Sequence, residues 1–381
     1  MKKALILLNM GGPNNLSEVE VFLKNMFNDP FILGIKSDFW RSVLAALIVK
    51  SRTASARSNY EKLGGCSPIC SITEALCERV NLLARDKFNE GLKFKTAEVT
   101  ESDKFKDRTK AAKADGSAKF DNSKFNDELK FDDAKSAEFN GAEGTKFNSA
   151  ESEKDELVCD YAMNYTPPFA EDVFKKYADF EEIILMPLYP HFSKTTVQSS
   201  LCSAEAALKR LGIKNYRIID IFYDSAAYNE ILLNLIASCV AKFSADEISQ
   251  ISLIFSAHSL PVKMIAAGDP YEAQVGAHVE ILKDLLAARG IKFKEIILAY
   301  QSRLGPVKWL EPNIADVLRD LQSKKALIFP IAFCVDNSET DFELDIFYRA
   351  RARELGYEYY EVCKCPNSRE DFAKFILAQA L

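Results

Sequence analysis

Apolar residues occur in short continuous runs that alternate with longer amphipathic segments along the chain. Short runs of isoleucine, leucine and phenylalanine are typical of strands that are covered on both faces. The amphipathic segments between them predict crossover helices, so the pattern predicts an α/β fold with mostly parallel sheets. Seven strands are predicted, at residues 4–9, 159–165, 182–189, 216–223, 251–257, 295–300 and 326–333.

Two helical segments in the second half of the chain end at a glycine, which is the commonest residue just beyond a helix C-terminus. One runs from residue 271 to Gly290, and the other runs from residue 338 to Gly356 with an acidic start and a basic end. That charge order suits the helix dipole. Two successive α/β units follow from this pattern, and the predicted domains are 1–213, 214–360 and a C-terminal helix within 361–381 that packs back on the first domain.

The segment at about 96–156 interrupts the alternation. It contains no proline and few branched aliphatic residues, and it is rich in Lys, Asp, Glu, Ala, Ser and Asn. Phenylalanines recur in short echoes such as "KFDN" and "KFND", but their spacing is too irregular for a solenoid. We predict a low-complexity insertion that is disordered or weakly helical. The alternative is that its phenylalanines bind a partner or a membrane surface.

Composition and charge exclude several classes of protein. The 381 residues carry a formal net charge of -6, which argues against nucleic-acid binding. The nine cysteines are scattered and no secretory signal is evident, so we expect reduced thiols and a cytoplasmic location. No apolar stretch reaches the ~20 residues that span a bilayer. The run "SVLAALIVK" at 42–50 is compatible with peripheral membrane contact.

Chemistry is expected where the predicted strands end, because ligands of open parallel sheets bind beyond the carboxyl ends of the strands. "NMGGP" follows the first strand, and its glycines permit close backbone approach. It is not a G-x-G-x-x-G motif, and the chain has no Walker lysine motif, so nucleotide binding is not supported. His191 and His278 are weaker candidates, and His278 is predicted to be structural because it lies within a helical segment.

The strongest candidates for chemistry are His258 and the acidic residues of the 338–356 segment. His258 ends one strand, and Glu339 and Glu343 share a helix face because they are one turn apart. Taken alone, an acidic helix start is usually a cap, and a lone histidine on a strand is usually a core residue. Together they favour a site, since a histidine that faces carboxylates binds divalent metals or moves protons near neutral pH.

The chain resembles the ferrochelatases in a series of motifs that occur in the same order. The resemblance implies two chelatase-type, Rossmann-like domains around a porphyrin cleft. It also implies an enzyme that inserts Fe²⁺ into protoporphyrin IX to give protoheme, the last step of haem biosynthesis. "NMGGP" resembles the protoporphyrin branch of the family. The motifs are "NMGGP", "YEKLGGCSPI", "YTPPF", "PLYPHFSKTTVQSS", "FSAHSLP", "GDPY", "YQSRLGPVKWL" and "PIAFCVDNSETDFELD".

Other functions are compatible with the same motifs. The chain could act on coproporphyrin with iron, or on a corrin precursor with cobalt. It could also be a non-catalytic carrier of porphyrin or haem. Protoporphyrin IX and Fe²⁺ are the expected partners of the leading interpretation.

The resemblance also assigns roles to individual residues. It makes His258 and Glu339 a pair that flanks the porphyrin centre from opposite sides and binds the metal or accepts the pyrrole protons. Glu343 would lie on a path for the metal. The apolar run at 26–35 would grip the macrocycle together with Met10. The remaining residues implied in binding the porphyrin and its propionates are Arg52, Tyr60, Ser67 and Tyr165.

Several positions depart from the family pattern. Asn337 stands where a histidine is frequent beside the glutamate, and Phe347 replaces the third acidic residue of the glutamate row. Asn164 replaces an arginine that often precedes the tyrosine of the second strand. These changes shorten the expected metal path and remove one contact with an anionic group.

A [2Fe-2S] cluster, which some members carry, is not expected. The turn position that supplies one ligand in those members is Lys194 here, and the tail offers only Cys363 and Cys365. Two cysteines separated by one residue match a four-thiolate requirement poorly. We therefore predict no tightly bound cofactor.

Overall fold

The strands form two four-stranded sheets of identical topology. The structure is a computed structural model that describes residues 2–90, 156–303 and 305–381, with the side chains of 88–90 left out. Every strand pairing in both sheets is parallel. The strands are β1 (Lys2–Asn9), β2 (Glu156–Met163), β3 (Glu182–Pro187), β4 (Tyr216–Ile218), β5 (Ser252–His258), β6 (Glu295–Gln301), β7 (Lys325–Phe329) and β8 (Tyr359–Val362).

The strand order is β2-β1-β3-β4 in the first sheet and β6-β5-β7-β8 in the second. β1 and β5 therefore occupy the same central position in their sheets. In register, Leu5 lies opposite Cys159 and Ile184. The polar residues Asn9 and His258 stand at the carboxyl ends of β1 and β5, where the ladder stops. The topology thus places the ends of two equivalent strands where parallel sheets bind ligands.

Helices connect the strands in the crossover manner that parallel pairing requires. A 3₁₀ turn at Leu16–Glu18 and two π-helices, Lys194–Gln198 and Glu339–Phe347, accompany them. The α-helices are α1 (Val19–Asn28), α2 (Pro30–Leu33), α3 (Asp38–Lys62), α4 (Ile69–Glu90), α5 (Ala170–Lys175), α6 (Ser199–Arg210), α7 (Ala226–Val240), α8 (Ala245–Ile248), α9 (Val262–Ala266), α10 (Tyr271–Ala288), α11 (Ile314–Asp320), α12 (Tyr348–Glu354) and α13 (Glu370–Ala380).

The predicted α/β class with parallel sheets is confirmed, and all seven predicted strands exist. The predicted fourth strand is too long, because the backbone N–H groups of Phe222 and Tyr223 bond to Pro190 O instead of a ladder. The strand β8 was not predicted. The insertion at 96–156 lies almost entirely outside the described residues, and the domain boundaries stay a prediction.

One apolar cluster runs through both halves of the chain. It contains Leu5 and Leu7 of β1 together with Leu253 and Phe255 of β5, all fully buried. α13 joins this cluster and packs on α4 and α7. Burial on both sides explains the continuous apolar runs of the central strands. Within the described ranges, no helix is both long enough and apolar enough to cross a membrane.

Candidate active site

His258 and Glu339 meet directly at the carboxyl edge of the second sheet. His258 is the last residue of β5, and Glu339 is the first residue of the longer π-helix, which follows β7. His258 Nδ1 lies 2.8 Å from Glu339 Oε2. Their side chains are 39% and 20% exposed, so the pair can be reached from outside. The residues predicted to act together are therefore adjacent.

The expected placement of these groups on opposite sides of a porphyrin is wrong for this structure. A 2.8 Å hydrogen bond between Nδ1 and Oε2 leaves no room for a macrocycle between them. The reason is topological, because β5 and β7 are neighbours in one sheet and both project their following residues from the same edge. The two side chains therefore present one combined surface to a ligand.

Gln301 fixes the carboxylate of this pair. It ends β6, directly opposite His258 in the ladder, and it is fully buried. Its Nε2 donates to Glu339 Oε2 at 3.0 Å, and its Oε1 accepts from Ser256 Oγ at 2.6 Å. This residue was not predicted, since its role depends on which strands are neighbours.

Ser302 joins Glu339 to Glu343. Its backbone N–H donates to Glu343 Oε1 at 2.9 Å, and its hydroxyl lies within hydrogen-bonding distance of both carboxylates. The backbone of Ser302 has φ +65°, which is uncommon for a residue other than glycine. Such conformations often occur at functional sites. The shared serine confirms that the two glutamates lie on one face of their helix.

Charges and hydrogen bonds in this group shift the pKa values of its members. Burial lowers the pKa of His258, but the charge and hydrogen bond of Glu339 outweigh it, so the pKa is raised above its ordinary value of 6.5. Burial raises the pKa of Glu339, but the charge of His258 and the three donors outweigh it, and the pKa is lowered. Burial and the charge of Glu339 raise the pKa of Glu343. The group therefore stabilises an ionised Glu339 beside a more weakly acidic Glu343.

The residues around Glu339 begin a π-helix where the sequence predicted an ordinary helix. Asn337 Oδ1 accepts a hydrogen bond from the Glu339 N–H at 2.8 Å, and Asn337 Nδ2 donates to Val335 O. The residue that departs from the family's histidine is thus buried, and its side chain bonds the backbone on both sides of it. At the far end of the helix, Phe347 is 55% exposed.

Tyr60 connects this group with the first half of the chain. Its hydroxyl donates to Ser338 Oγ at 3.4 Å, one residue before Glu339. Burial raises the pKa of Tyr60 to about 12. Tyr60 and Tyr165 belong to one apolar cluster, against which Met10 packs. Three of the predicted binding residues are therefore assembled together.

Ser67 and Tyr165 support the loop that follows β1. The Ser67 N–H donates to Pro13 O at 2.7 Å, and a Cβ on Gly12 would lie 2.6 Å from Ser67 Oγ. This close approach is the reason why the loop requires glycine at that position. The Tyr165 N–H donates to Met10 O, and its hydroxyl donates to Asp29 Oδ2 at 2.7 Å.

Other residues singled out from the sequence lie on elements other than those that carry the pair. Arg52 is exposed on α3, two turns before Tyr60. The run at 26–35 covers the end of α1 and all of α2, and it is mostly half-buried. Asn164 donates to Ser199 Oγ, and Lys194 Nζ donates to Ala267 O. Among the side chains that the structure describes, no three His, Cys, Asp or Glu form a ready metal-binding group.

Comparison with known proteins identifies the family. A ferrochelatase family profile matches residues 2–120 and 142–380, further into the low-complexity segment than the motifs indicated. A ferrochelatase of Campylobacter fetus subsp. fetus is 47% identical, covering 99% of this chain and 98% of the relative. A ferrochelatase of Campylobacter concisus is 42% identical, covering 100% of this chain and 98% of the relative. A ferrochelatase of Sulfurimonas denitrificans is 38% identical, covering 99% of this chain and 97% of the relative.

Solved structures match this chain as well, among them SirB and DR2241. SirB from Bacillus subtilis, solved with Fe³⁺, has a TM-score of 0.42 and 10% identity, covering 59% of this chain and 81% of that one. DR2241 from Deinococcus radiodurans, described as similar to chelatases, has a TM-score of 0.37 and 13% identity, covering 61% and 47%. The sequence matches are the ones that decide the family, and they cover nearly the whole length of both partners. This chain belongs to the ferrochelatase family and is an enzyme that inserts a metal ion into a porphyrin.

Proposed function

We propose that the enzyme inserts Fe²⁺ into protoporphyrin IX to give protoheme, and that His258 and Glu339 perform the proton chemistry. Insertion must remove two pyrrole N–H protons as the metal enters. The hydrogen-bonded imidazole and carboxylate, both partly exposed, supply adjacent acceptors for them. This contact is the single observation that carries the proposal.

The hydrogen bonds around Glu339 define which nitrogen of His258 acts. Glu339 Oε2 receives donors from Gln301 and Ser302 as well as facing His258 Nδ1. An ionised oxygen in that position accepts a hydrogen from Nδ1, which leaves Nε2 as the basic nitrogen. His258 Nε2 then takes a pyrrole proton, and Glu339 stabilises the imidazolium that forms. The raised pKa of His258 favours that transfer.

Glu343 provides an outlet for the proton. The Ser302 hydroxyl lies between the two carboxylates. When Glu339 takes the Nδ1 proton of the imidazolium, this hydroxyl can accept that proton while it gives its own hydrogen to Glu343. The raised pKa of Glu343 makes it the better proton acceptor of the two. The carboxylates of Glu339 and Glu343 also suit a divalent cation on its way to the ring, because Fe²⁺ binds carboxylates as well as imidazole.

The porphyrin would be held by residues from the first half of the chain. Met10 is half-buried and offers an apolar surface packed on the cluster that contains the buried Tyr60, and Arg52 is an exposed guanidinium for a propionate. Ser67 and Tyr165 act indirectly in this proposal. Both contact the backbone of the loop that carries Met10 and so fix its position.

We also propose a cytoplasmic enzyme that touches the membrane peripherally and binds no [2Fe-2S] cluster. An apolar face near the start of α3 supports membrane contact, because its large side chains are exposed. Its members are Phe39 at 67%, Trp40 at 63%, Val43 at 40%, Leu44 at 39% and Leu47 at 62% exposure. The absence of a cluster is supported by Lys194, which stands at the turn position of one ligand.

Rates on several tetrapyrroles test the proposed substrate. The protein is incubated anaerobically with Fe²⁺ and protoporphyrin IX, with Fe²⁺ and coproporphyrin, or with Co²⁺ and a corrin precursor. We expect the highest kcat/KM with protoporphyrin IX. A higher value with coproporphyrin or the corrin would replace the substrate. Tight porphyrin binding without any metalloporphyrin would indicate a carrier and contradict the proposal.

A further inference from the structure

Two cysteines far apart in the sequence meet beside the carboxyl end of β8. Cys239 lies in the last turn of α7, and Cys363 directly follows β8. Their sulfur atoms are 2.8 Å apart, although 124 positions separate them in the chain. Formation of a disulfide at about 2.05 Å would require them to approach by only roughly 0.8 Å.

The surroundings of the pair hold both residues in place. The Cys363 N–H donates to Ile328 O at 2.8 Å, which continues the pairing of β8 with β7. α7 is packed into the large apolar cluster along its length. Neither backbone needs to leave its secondary structure for the sulfurs to react. Strain is the usual obstacle to a new disulfide. Two thiols that are already in contact can therefore form one with little movement of the backbone.

The two sulfurs differ in access. Cys363 is 1% exposed, whereas Cys239 is half-buried. The Cys363 thiol donates its hydrogen to the Cys239 sulfur, and this hydrogen bond lowers the pKa of Cys239. Cys239 is thus the more reactive and the more accessible of the two. Cys363 is the resolving partner, because its burial and the Cys239 contact raise its pKa.

We propose that Cys239 and Cys363 form a reversible thiol–disulfide pair that reacts with low-molecular-weight disulfides. The Cys239 thiolate attacks one sulfur of the small disulfide, forms a mixed disulfide and releases one small thiolate. Cys363 then loses its proton and attacks the Cys239 sulfur, which expels the second small thiolate. The two cysteines are oxidised by two electrons in total, and one small disulfide is reduced to two thiols.

The cross-link would act on a segment that supports the catalytic loop. Two residues after Cys363, the Cys365 N–H donates to Asp336 Oδ1 at 3.3 Å. Asn367 exchanges hydrogen bonds with Asp336, at 2.7 Å to Oδ2 and 2.8 Å from the Asp336 N–H. Asp336 is buried and stands three residues before Glu339. Oxidation therefore stiffens residues 363–367 and, through them, the start of the loop.

Mass spectrometry of the intact, full-length protein tests the proposal. Reduced protein is incubated with oxidised glutathione under native conditions, the remaining thiols are alkylated, and the digest is analysed. We expect a cross-linked Cys239–Cys363 peptide that dithiothreitol reverses, and a fall from nine free thiols to seven. Hydrogen exchange at 363–367 should become slower in the oxidised protein.

Variants identify the order of the reaction. In Cys363→Ala, glutathione should stay on Cys239 as a mixed disulfide, and in Cys239→Ala neither residue should react. Cys77→Ala is the matched control, since Cys77 and its neighbour Cys159 are both buried. The proposal is overturned if folded wild-type protein keeps all nine thiols. A mixed disulfide that persists on Cys239 in wild-type protein, or a cross-link between other cysteines, would also overturn it. The wild-type result stands even where a variant misfolds.

Discussion

Gln301 Nε2 donates a hydrogen bond to Oε2 of Glu339 across 3.0 Å, from a side chain that is fully buried. Its other end is fixed by Ser256 Oγ, so the amide has one orientation. A buried donor held in this manner stabilises the ionised form of the carboxylate. The geometry of the reacting pair therefore depends on a residue that need not touch the substrate.

Replacing Gln301 should shift the pH profile of the enzyme. In Gln301→Leu the carboxylate loses a donor that lowers its pKa, so the pKa of Glu339 rises. The acid limb of kcat/KM should move to higher pH, because Glu339 becomes protonated earlier as the pH falls. We also expect kcat to fall roughly tenfold, since hydrogen bonds to charged groups contribute about 1.5–3 kcal/mol.

The exposed Gln322 provides the control for this experiment. Gln322→Leu makes the same chemical change away from the site and should leave the profile unchanged. An acid limb that stays in place in Gln301→Leu would show that the amide does not tune Glu339.

Glu343 should control the basicity of His258. Its negative charge is one of the causes that raise the pKa of His258. Glu343→Gln removes this charge, and the pKa of His258 should fall toward its ordinary value of 6.5. NMR titration of the histidine ring protons measures it directly, because the chain has only three histidines.

Glu354, which is exposed and ion-paired, is the matched control for Glu343→Gln. Glu354→Gln should leave the His258 titration where it is. A pKa of His258 that is unchanged or higher in Glu343→Gln would contradict the assigned coupling.

The two other histidines form a buried chain that stabilises the fold. His191 Nε2 lies 2.9 Å from His278 Nδ1, and His278 Nε2 lies 2.8 Å from Asn229 Oδ1. Asn229 Nδ2 donates to Tyr223 O and Ser225 O, which fixes Oδ1 as the acceptor. The predicted structural role of His278 agrees with its complete burial.

Asn229→Leu should lower the free energy of unfolding by about 1–3 kcal/mol, because it leaves buried polar groups without partners. Urea denaturation measures the loss. Asn234→Leu, on the same helix but half-exposed, should cost less. Equal stability of wild type and Asn229→Leu would mean that the chain of hydrogen bonds contributes nothing.

The buried histidines also predict a loss of stability in acid. Burial lowers the pKa of His278 to about 3 and that of His191 well below 6.5. In the unfolded chain these two histidines take up protons as the pH falls below 6.5, whereas in the folded protein they do not. The free energy of unfolding therefore decreases as the pH falls from 6.5 toward 3. A free energy of unfolding that stays constant from pH 6.5 to pH 4 would contradict this account.

The apolar face of α3 should determine membrane association. Leu47→Ser should weaken binding to lipid vesicles about tenfold, because burying a leucine contributes about 1.5–3 kcal/mol. Sedimentation with vesicles measures the bound fraction. Leu82→Ser removes another exposed leucine, on α4, and should have no effect. Equal binding of both variants would remove the face from the proposal.

The strands were largely predictable because strands that are buried on both faces appear in the sequence as continuous apolar runs. Runs such as "ALILL" cannot be solvated, so they had to be central strands. β8 left no such record, since "YYEV" is four residues long and includes a charge. Its existence depends on pairing with β7, which sequence periodicity does not reveal.

The site was predictable only in part for a similar reason. His258 and Glu339 stand out as polar residues at the ends of apolar elements. Gln301 and Ser302 stand out only when β6 is known to neighbour β5, and the positive φ of Ser302 has no sequence signature. The expected opposition of His258 and Glu339 across the ring ignored that their strands share one sheet edge.

The rate of metal insertion by His258→Ala tests the central claim most directly. The measurement is anaerobic formation of protoheme from Fe²⁺ and protoporphyrin IX, with His278→Asn as a histidine control away from the pair. The account predicts that kcat for His258→Ala falls roughly 10²- to 10⁴-fold while the protein still binds porphyrin, as expected for loss of a general base. A folded His258→Ala protein that inserts iron at the wild-type rate would contradict it.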